Sequence, residues 1–211
     1  MSSEIKAVIF DLYNTLIYTS KPARSYQKLI EVMQLSKDES KAAFRFAMCQ
    51  ETSLETFVAN YRPSINIDLD PYKSAIREEL SATVFYPEAE NVLAALQKKR
   101  IVLGIISNVA SPFKKAYCNL NIQRFIPRDN VIFSCEVGLK KRDPEIYIKG
   151  LEAIAVFCQN TLMVGDSLKN DVLAPMELGL RSVLLDRDNK YTYPDRIRSL
   201  DGIFRYLHNL L

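Results

Sequence analysis

Histidine is almost missing from this chain: the single one, His208, lies near the C-terminus. The four cysteines, Cys49, Cys118, Cys135 and Cys158, are scattered and form no C-x-x-C pair. These two shortages argue against a cysteine-ligated zinc centre, whose ligands come at short fixed spacings. Four reduced thiols are the expected state. No apolar run approaches the roughly 20 residues of a membrane span. No signal peptide precedes the first strand pattern, so the expected location is the cytoplasm. A dominant charge sign is missing too. The 28 Lys and Arg against 25 Asp and Glu give a net charge of +3, too mild to imply a nucleic-acid partner. Repeats and low-complexity segments are also lacking.

What remains is an ordinary globular composition. The chain has 211 residues, 48% hydrophobic and 25% charged, enough for one large domain or a core with an inserted subdomain. Apolar runs at Ile5–Phe10, Ile101–Ile106, Val131–Phe133, Thr161–Val164 and Ser182–Leu185 read as strands. They are rich in Val, Ile and Leu without strict alternation, as parallel strands covered on both faces are. Helical patterns separate most of them. Pro87 opens one that runs to Arg100. Asp143-Pro144 is a cap and first-turn pair for another, to about Ala155. Ser167 to Leu178 forms a third, stopped by Gly179. This alternation predicts an α/β fold with a doubly wound, mostly parallel, five-stranded sheet.

Residues 18–85 break the alternation with helical patterns of their own. Ser36-x-x-Glu39 and Thr52-x-x-Glu55 are capping-box patterns, and Asp70-Pro71 starts a further helix. An all-helical domain over 18–85, inserted into a core of 1–17 and 86–211, is the expected organisation. Its two crossings fall near Ile17–Ser20 and Thr83–Pro87, which allows a lid over the strand ends.

Polar groups follow four different strands. Asp11, Tyr13 and Thr15 come after the first, and Ser107 and Asn108 after the second. Lys141 lies in the loop after Val131–Phe133, and Asp166 and Asp171 come after Thr161–Val164. In a parallel sheet these loops emerge at one end, so the residues are expected to converge. Taken singly, each has a plainer meaning. Ser107-Asn108 can cap a helix, Lys141 can belong to a solvated basic face, and Asp166 and Asp171 can serve a helix start. Arg24 and Arg45, in the helical block, read as exposed helix charges before they read as an anion clamp.

Taken together, Asp11-x-Tyr13-x-Thr15, Ser107-Asn108, Lys141 and Gly165-Asp166-x-x-x-x-Asp171 resemble the haloacid dehalogenase superfamily along the whole chain. The helical block after the first motif resembles that superfamily's cap. The resemblance implies a Rossmann-like core and a hydrolase whose nucleophile is Asp11. An aspartyl intermediate would form there and be hydrolysed by water. It also implies Mg²⁺ held by Asp11, Asp166, Asp171 and the backbone carbonyl of Tyr13. Lys141 would hold Asp11 ionised and bind the anionic group of the substrate, Ser107 and the backbone near Asn108 would donate to developing charge, and Thr15 would position the nucleophile. The expected partner is a small anionic molecule, a phosphorylated metabolite.

Two departures bear on the chemistry. Family phosphatases usually carry a second aspartate where Tyr13 stands, which protonates the leaving group and later activates water. Arg142 stands where a proline often follows the lysine, so Lys140 and Lys141 compete for one role; Lys141 fits the spacing to Asp143-Pro144. Asp-x-Tyr-x-Thr is similar to the start of the metal-independent 2-haloacid dehalogenases, whereas the acidic pair at 166 and 171 is similar to the metal-binding phosphatases. Phosphatase, dehalogenase and a low-turnover binding or regulatory protein therefore stand as three readings, in that order.

Overall fold

The computed structural model describes residues 4–207, and His208 lies outside the described residues. Strands β1 (Ala7–Phe10), β2 (Ile17–Thr19) and β3 (Thr83–Phe85) come first in the chain. They are followed by β4 (Val102–Ser107), β5 (Val131–Phe133), β6 (Thr161–Gly165), β7 (Arg181–Leu185) and β8 (Arg196–Ile197). All but β2 and β3 join one sheet in the order β5-β4-β1-β6-β7-β8, and every pairing in it is parallel. The fold is the expected α/β sheet, corrected from five strands to six. The added strand, β8, has only two residues, Arg196 and Ile197, too few to carry an apolar pattern of their own.

Alternation along β1 shows how both faces are buried. Val8 and Phe10 join a cluster with Leu103 and Ile105 of β4, Val164 of β6, and Val92, Leu93 and Leu96. Ala7 and Ile9 join the opposite cluster, with Ile106, Met163, Ile146, Tyr147 and Ile154. Successive side chains of a strand point to opposite faces, so a four-residue strand feeds two cores. All four of its residues are fully buried, which is why the run reads as continuously apolar rather than alternating.

Between β2 and β3 the chain forms α1 (Ser25–Val32), α2 (Lys37–Cys49), α3 (Leu54–Tyr61) and α4 (Asp70–Ser81). Later come α5 (Ala89–Lys98), α6 (Lys115–Asn119), α7 (Ser134–Val137), α8 (Pro144–Ile154) and α9 (Ala174–Glu177). The first four helices gather a cluster of their own around Leu29, Met33, Ala47 and Phe57. The chain enters and leaves them through the antiparallel pair β2–β3, with Ile17 opposite Phe85 and Thr19 opposite Thr83.

Helix starts follow capping chemistry, with corrections. The Ser36–Glu39 capping box is fully formed at α2. At α3 the cap is Ser53, not Thr52, and its Oγ accepts from the Thr56 N–H at 3.2 Å. Adjacent hydroxyl residues compete for one cap, and the chain path decides between them. Asp70 and Pro71 are the first two residues of α4, as their pairing predicts. Asp143 occupies the position before α8 but makes no capping hydrogen bond. Its carboxylate instead accepts from the Lys140 N–H at 3.0 Å and pairs with Arg45 at 2.9 Å. Gly179, at φ 81°, ends the helical stretch after α9 in a conformation that glycine adopts freely.

Candidate active site

Strand order reverses at β1, which has β4 on one side and β6 on the other. In an open parallel sheet such a switch point opens a crevice at the carboxyl ends of the strands. Asp11, the residue after β1, sits there at 7% exposure, and its N–H donates to the Val164 carbonyl at 2.8 Å. Thr15 Oγ1 donates to Asp11 Oδ2 at 3.4 Å, and Ser107 Oγ, from the end of β4, donates to Oδ1 at 3.4 Å. Lys141 Nζ donates to Asp11 Oδ1 and also to Asp171 Oδ1, the second at 2.6 Å. The lysine is only 3% exposed, so these two carboxylates replace the water it has lost.

The loop that carries Lys141 is tied down on both flanks. Asn108 Oδ1 accepts from the Lys141 N–H at 2.8 Å. The Tyr147 hydroxyl accepts from the Arg142 N–H at 3.1 Å and donates to the Asn170 carbonyl at 2.6 Å. Tyr147 thus joins the lysine loop to the segment that carries Asp171. Arg142 itself sits at φ 82°. Proline, fixed near −65°, has no access to that region, so this loop path excludes proline at position 142. The other acids are placed by β6 and the π-helical turn Leu168–Leu173 after it. Asp171 Oδ2 accepts from the Ser167 N–H at 2.9 Å. A Cβ on Gly165 would overlap the Asp171 carboxyl group, so the close approach of this acid requires glycine there.

Asp11, Asp166 and Asp171 each offer a carboxylate oxygen, and the three oxygens lie within 4.8 Å of one another. Burial raises the pKa of Asp11 to about 7, against the pull of Lys141. Burial also raises Asp166 to about 6, and the charge of Asp171 adds to the effect. Burial opposes the charge on Lys141, yet Asp11 and Asp171 outweigh it and push its pKa up. Among the described residues, no lysine or arginine forms an ion pair with Asp166. Three carboxylates against one ammonium leave excess negative charge in a buried place, and an all-oxygen set of this kind fits a hard divalent cation. Both oxygens of Asp171 are engaged, one by Lys141 and the other by Ser167.

These groups line a cavity of about 180 Å³ that also takes in Tyr13, Asn14, Ser107 and Asn108. The Tyr13 hydroxyl donates to the Phe113 carbonyl at 3.0 Å, and the two rings meet edge to face with centroids 6.4 Å apart. Burial, helped by Glu79, pushes the phenol pKa further up, so Tyr13 keeps its proton at any ordinary pH and is no base. Asn14 follows at φ 61°, a left-handed position that asparagine tolerates better than most residues.

All the residues singled out from sequence around the first, second, third and fourth motifs therefore reach one cavity wall or its immediate support. The two arginines do not. Arg45 pairs with Asp143, and Arg24 lines a separate cavity. Sequence reading missed Tyr147, Ser167 and Asn170. Tyr147 looks like a core aromatic on α8, and nothing local reveals that its hydroxyl bridges two loops.

The chain matches the family model described as haloacid dehalogenase-like hydrolase over residues 5–179. It is 31% identical over 143 residues to a phosphoglycolate phosphatase of Shigella boydii, an alignment covering 67% of this chain and 55% of that protein. It is 36% identical over 99 residues to a glyceraldehyde 3-phosphate phosphatase of Pyrococcus abyssi, covering 46% of this chain and 40% of the relative. The chain thus spans about half the length of the curated relatives it matches. Two solved structures share the fold. An HAD phosphatase from Thermococcus onnurineus superposes with a TM-score of 0.69 at 21% identity, covering 96% of this chain and 98% of the other. A 2-haloacid dehalogenase from Pseudomonas syringae gives 0.71 at 17%, covering 98% and 100%.

Proposed function

Since the chain belongs to the haloacid dehalogenase-like hydrolase family, we propose that it is a Mg²⁺-dependent phosphatase of a small phosphorylated metabolite, with Asp11 as nucleophile. One observation carries this reading: a buried aspartate at the switch point is held by a buried lysine and crowded by two more carboxylates. An Asp11 oxygen attacks phosphorus, the bond from phosphorus to the substrate's alcohol oxygen breaks, and an aspartyl phosphate forms. Water then cleaves that acyl phosphate, releasing inorganic phosphate and restoring the carboxylate. Thr15 and Ser107 hold the Asp11 carboxylate in place for attack. Lys141 favours its ionised form against the effect of burial and offers positive charge to the incoming phosphate. Asp11 and Asp166 would hold the cation, with Asp171 and the Tyr13 carbonyl completing the set. Bound there, Mg²⁺ supplies charge neutralisation for phosphate and carboxylates alike.

Tyr13 sets the limit of this chemistry. Its proton is bonded to Phe113 and its pKa is raised, so the departing alkoxide draws its proton from solvent. Esters with good leaving groups should therefore be cleaved much faster than simple alkyl esters. The helices α1–α4 act as the cap, anchored to the core where Ser134 Oγ donates to the Met48 carbonyl at 2.6 Å and where Arg45 meets Asp143. The four free thiols suit a reducing setting, the cytoplasm.

The test is hydrolysis of p-nitrophenyl phosphate with Mg²⁺. Activity should vanish with EDTA and fall by at least about 10⁴-fold in Asp11→Asn, the scale of losing a nucleophile. Halide release from 2-chloropropionate that ignores EDTA would instead support the dehalogenase reading, which Tyr13 favours. A protein inactive on both substrates would leave the binding or regulatory reading.

A further inference from the structure

Asp11 draws support from more than the four motif loops. A fifth loop, directly after β7, carries Arg187 back to the beginning of the chain. Its Nη2 donates to the Thr15 carbonyl at 3.1 Å, and its Nη1 pairs with Glu88 Oε1 at 2.6 Å. Its Cζ sits over the Tyr86 ring, 3.6 Å from the centroid. The Arg187 and Glu88 side chains are 19% and 17% exposed, so both charges are largely withdrawn from water and compensate each other. Arg187 and Tyr86 also line a cavity of about 350 Å³ that takes in Asn14 and Asp166, and those two residues line the cavity around Asp11 as well.

The partners of this guanidinium belong to the two crossings between core and insert. Thr15 lies just ahead of β2, where the chain enters the insert, and Tyr86 and Glu88 follow β3, where it leaves. The crossings meet at a backbone bond from the Tyr86 N–H to the Leu16 carbonyl at 3.0 Å. The turn after Asp11 is closed by the Leu16 and Ile17 N–H groups, which both donate to the Leu12 carbonyl. The Thr15 carbonyl takes no part in that closure and is held by Arg187 instead. Thr15 is fully buried, and its Oγ1 donates to Asp11 Oδ2 at 3.4 Å. A single residue therefore stands between Arg187 and the nucleophile. A guanidinium offers a rigid fork of donors and a flat face, so one side chain meets carboxylate, carbonyl and ring together; an ammonium has neither fork nor face.

We propose that Arg187 is a positioning residue for the reaction at Asp11: by holding the Thr15 carbonyl it sets where Thr15 Oγ1 meets the attacking carboxylate. This rests on the phosphatase function argued above and adds to it a residue outside the four motifs. Misplacing a reacting group by about 1 Å costs about 10²-fold in rate. Loosening one support of the nucleophile should cost less, about tenfold.

The test is p-nitrophenyl phosphate hydrolysis with Mg²⁺ by the parent, Arg187→Lys, Thr15→Val and the double variant. The lysine keeps a positive charge against Glu88 while losing the fork, and the valine removes the Thr15 hydroxyl while keeping the carbonyl. In each single variant kcat/KM should fall about tenfold while the inhibition constant of inorganic phosphate stays within about twofold, a loss confined to the transition state. The double variant should again lose about tenfold, because Arg187 acts through Thr15; independent effects would multiply to about a hundredfold. A parent-like rate in either single variant, losses that multiply, or phosphate affinity that falls along with the rate would overturn the role. Should Arg187→Lys fail to fold, Arg187→Gln, whose amide keeps a planar donor, carries the same comparison. Failure of these expectations in an active parent overturns the role of Arg187 alone. A parent without turnover overturns the phosphatase function, and the role falls with it.

Discussion

The groups around Asp11 and the hydroxyls of Ser25 and Tyr26 in the insert are all buried and polar, and they are bonded on opposite plans. At the rim almost every group is already bonded: Lys141 holds two carboxylates, Asp171 has both oxygens occupied, and Asn108 and Tyr147 hold the loops. In the insert the Ser25 and Tyr26 hydroxyls are buried without a hydrogen-bond partner. The contrast has a physical reason. Groups that carry out a fixed reaction benefit from preorganisation, because their geometry is then set before substrate arrives.

If the rim is a closed network, removing its central cation should do the most damage to folding. Lys141→Met leaves Asp11 and Asp171 facing each other without a counter-ion, and breaking one side of a buried ion pair costs about 3–5 kcal/mol. Urea unfolding at pH 8 should register that loss. At pH 5 the loss should shrink, because Asp11, with its pKa already raised to about 7, takes up a proton instead. An equal loss at both pH values would mean that the lysine packs rather than pairs.

The same network explains which parts of the molecule are legible in the sequence. Asp11, Ser107, Lys141 and Asp166 stand directly after apolar runs or a short loop beyond them, and parallel topology carries such positions to one edge whatever the details. Strand β1 is legible because all four of its residues are buried. Strand β8 is not, because two residues hold no period. Tyr147 is hidden because its ring behaves as core and only the hydroxyl does the bridging. Arg142 looks like a surface charge, and its φ of 82° follows from how the lysine loop is pinned at Asn108 and Tyr147. The unpaired hydroxyls of Ser25 and Tyr26 are invisible for a deeper reason: a missing partner is a property of the packed molecule, not of a residue type.

A smaller effect should appear in how Mg²⁺ and pH combine. Asp11 and Asp166 have folded-state pKa values raised to about 7 and about 6. Each therefore contributes stability that is complete below its unfolded value, near 4, and that is lost as pH rises through the folded value. Metal-free protein should accordingly lose thermal stability between about pH 5 and pH 7, above the range where ordinary carboxylates titrate. Mg²⁺ should raise the melting temperature little at pH 5 and clearly at pH 8, as differential scanning fluorimetry would show. A metal effect independent of pH would place the ion away from these two acids.

Strain at Arg142 gives a test of about 1 kcal/mol. A non-glycine residue at φ 82° costs roughly 1–3 kcal/mol, so Arg142→Gly should relieve part of that strain and stabilise by about 1 kcal/mol, offset by the greater freedom of glycine in the unfolded chain. Arg142→Pro should destabilise, because proline has no access to that φ. If the proline variant melts at the same temperature as the parent, the lysine loop does not follow the path described.

The insert should respond least of all. Where a hydroxyl is bonded inside the fold, removing it strands the partner and costs about 1–3 kcal/mol. Tyr26 Oη has no such partner, so Tyr26→Phe deletes a group that already carried its own desolvation cost. The expected change in unfolding free energy lies within about 0.5 kcal/mol, with stabilisation the favoured sign. A loss above about 1.5 kcal/mol would show that the hydroxyl is satisfied within the protein, by a structural water for instance. The insert would then be bonded as completely as the rim, and the difference between the two regions would disappear.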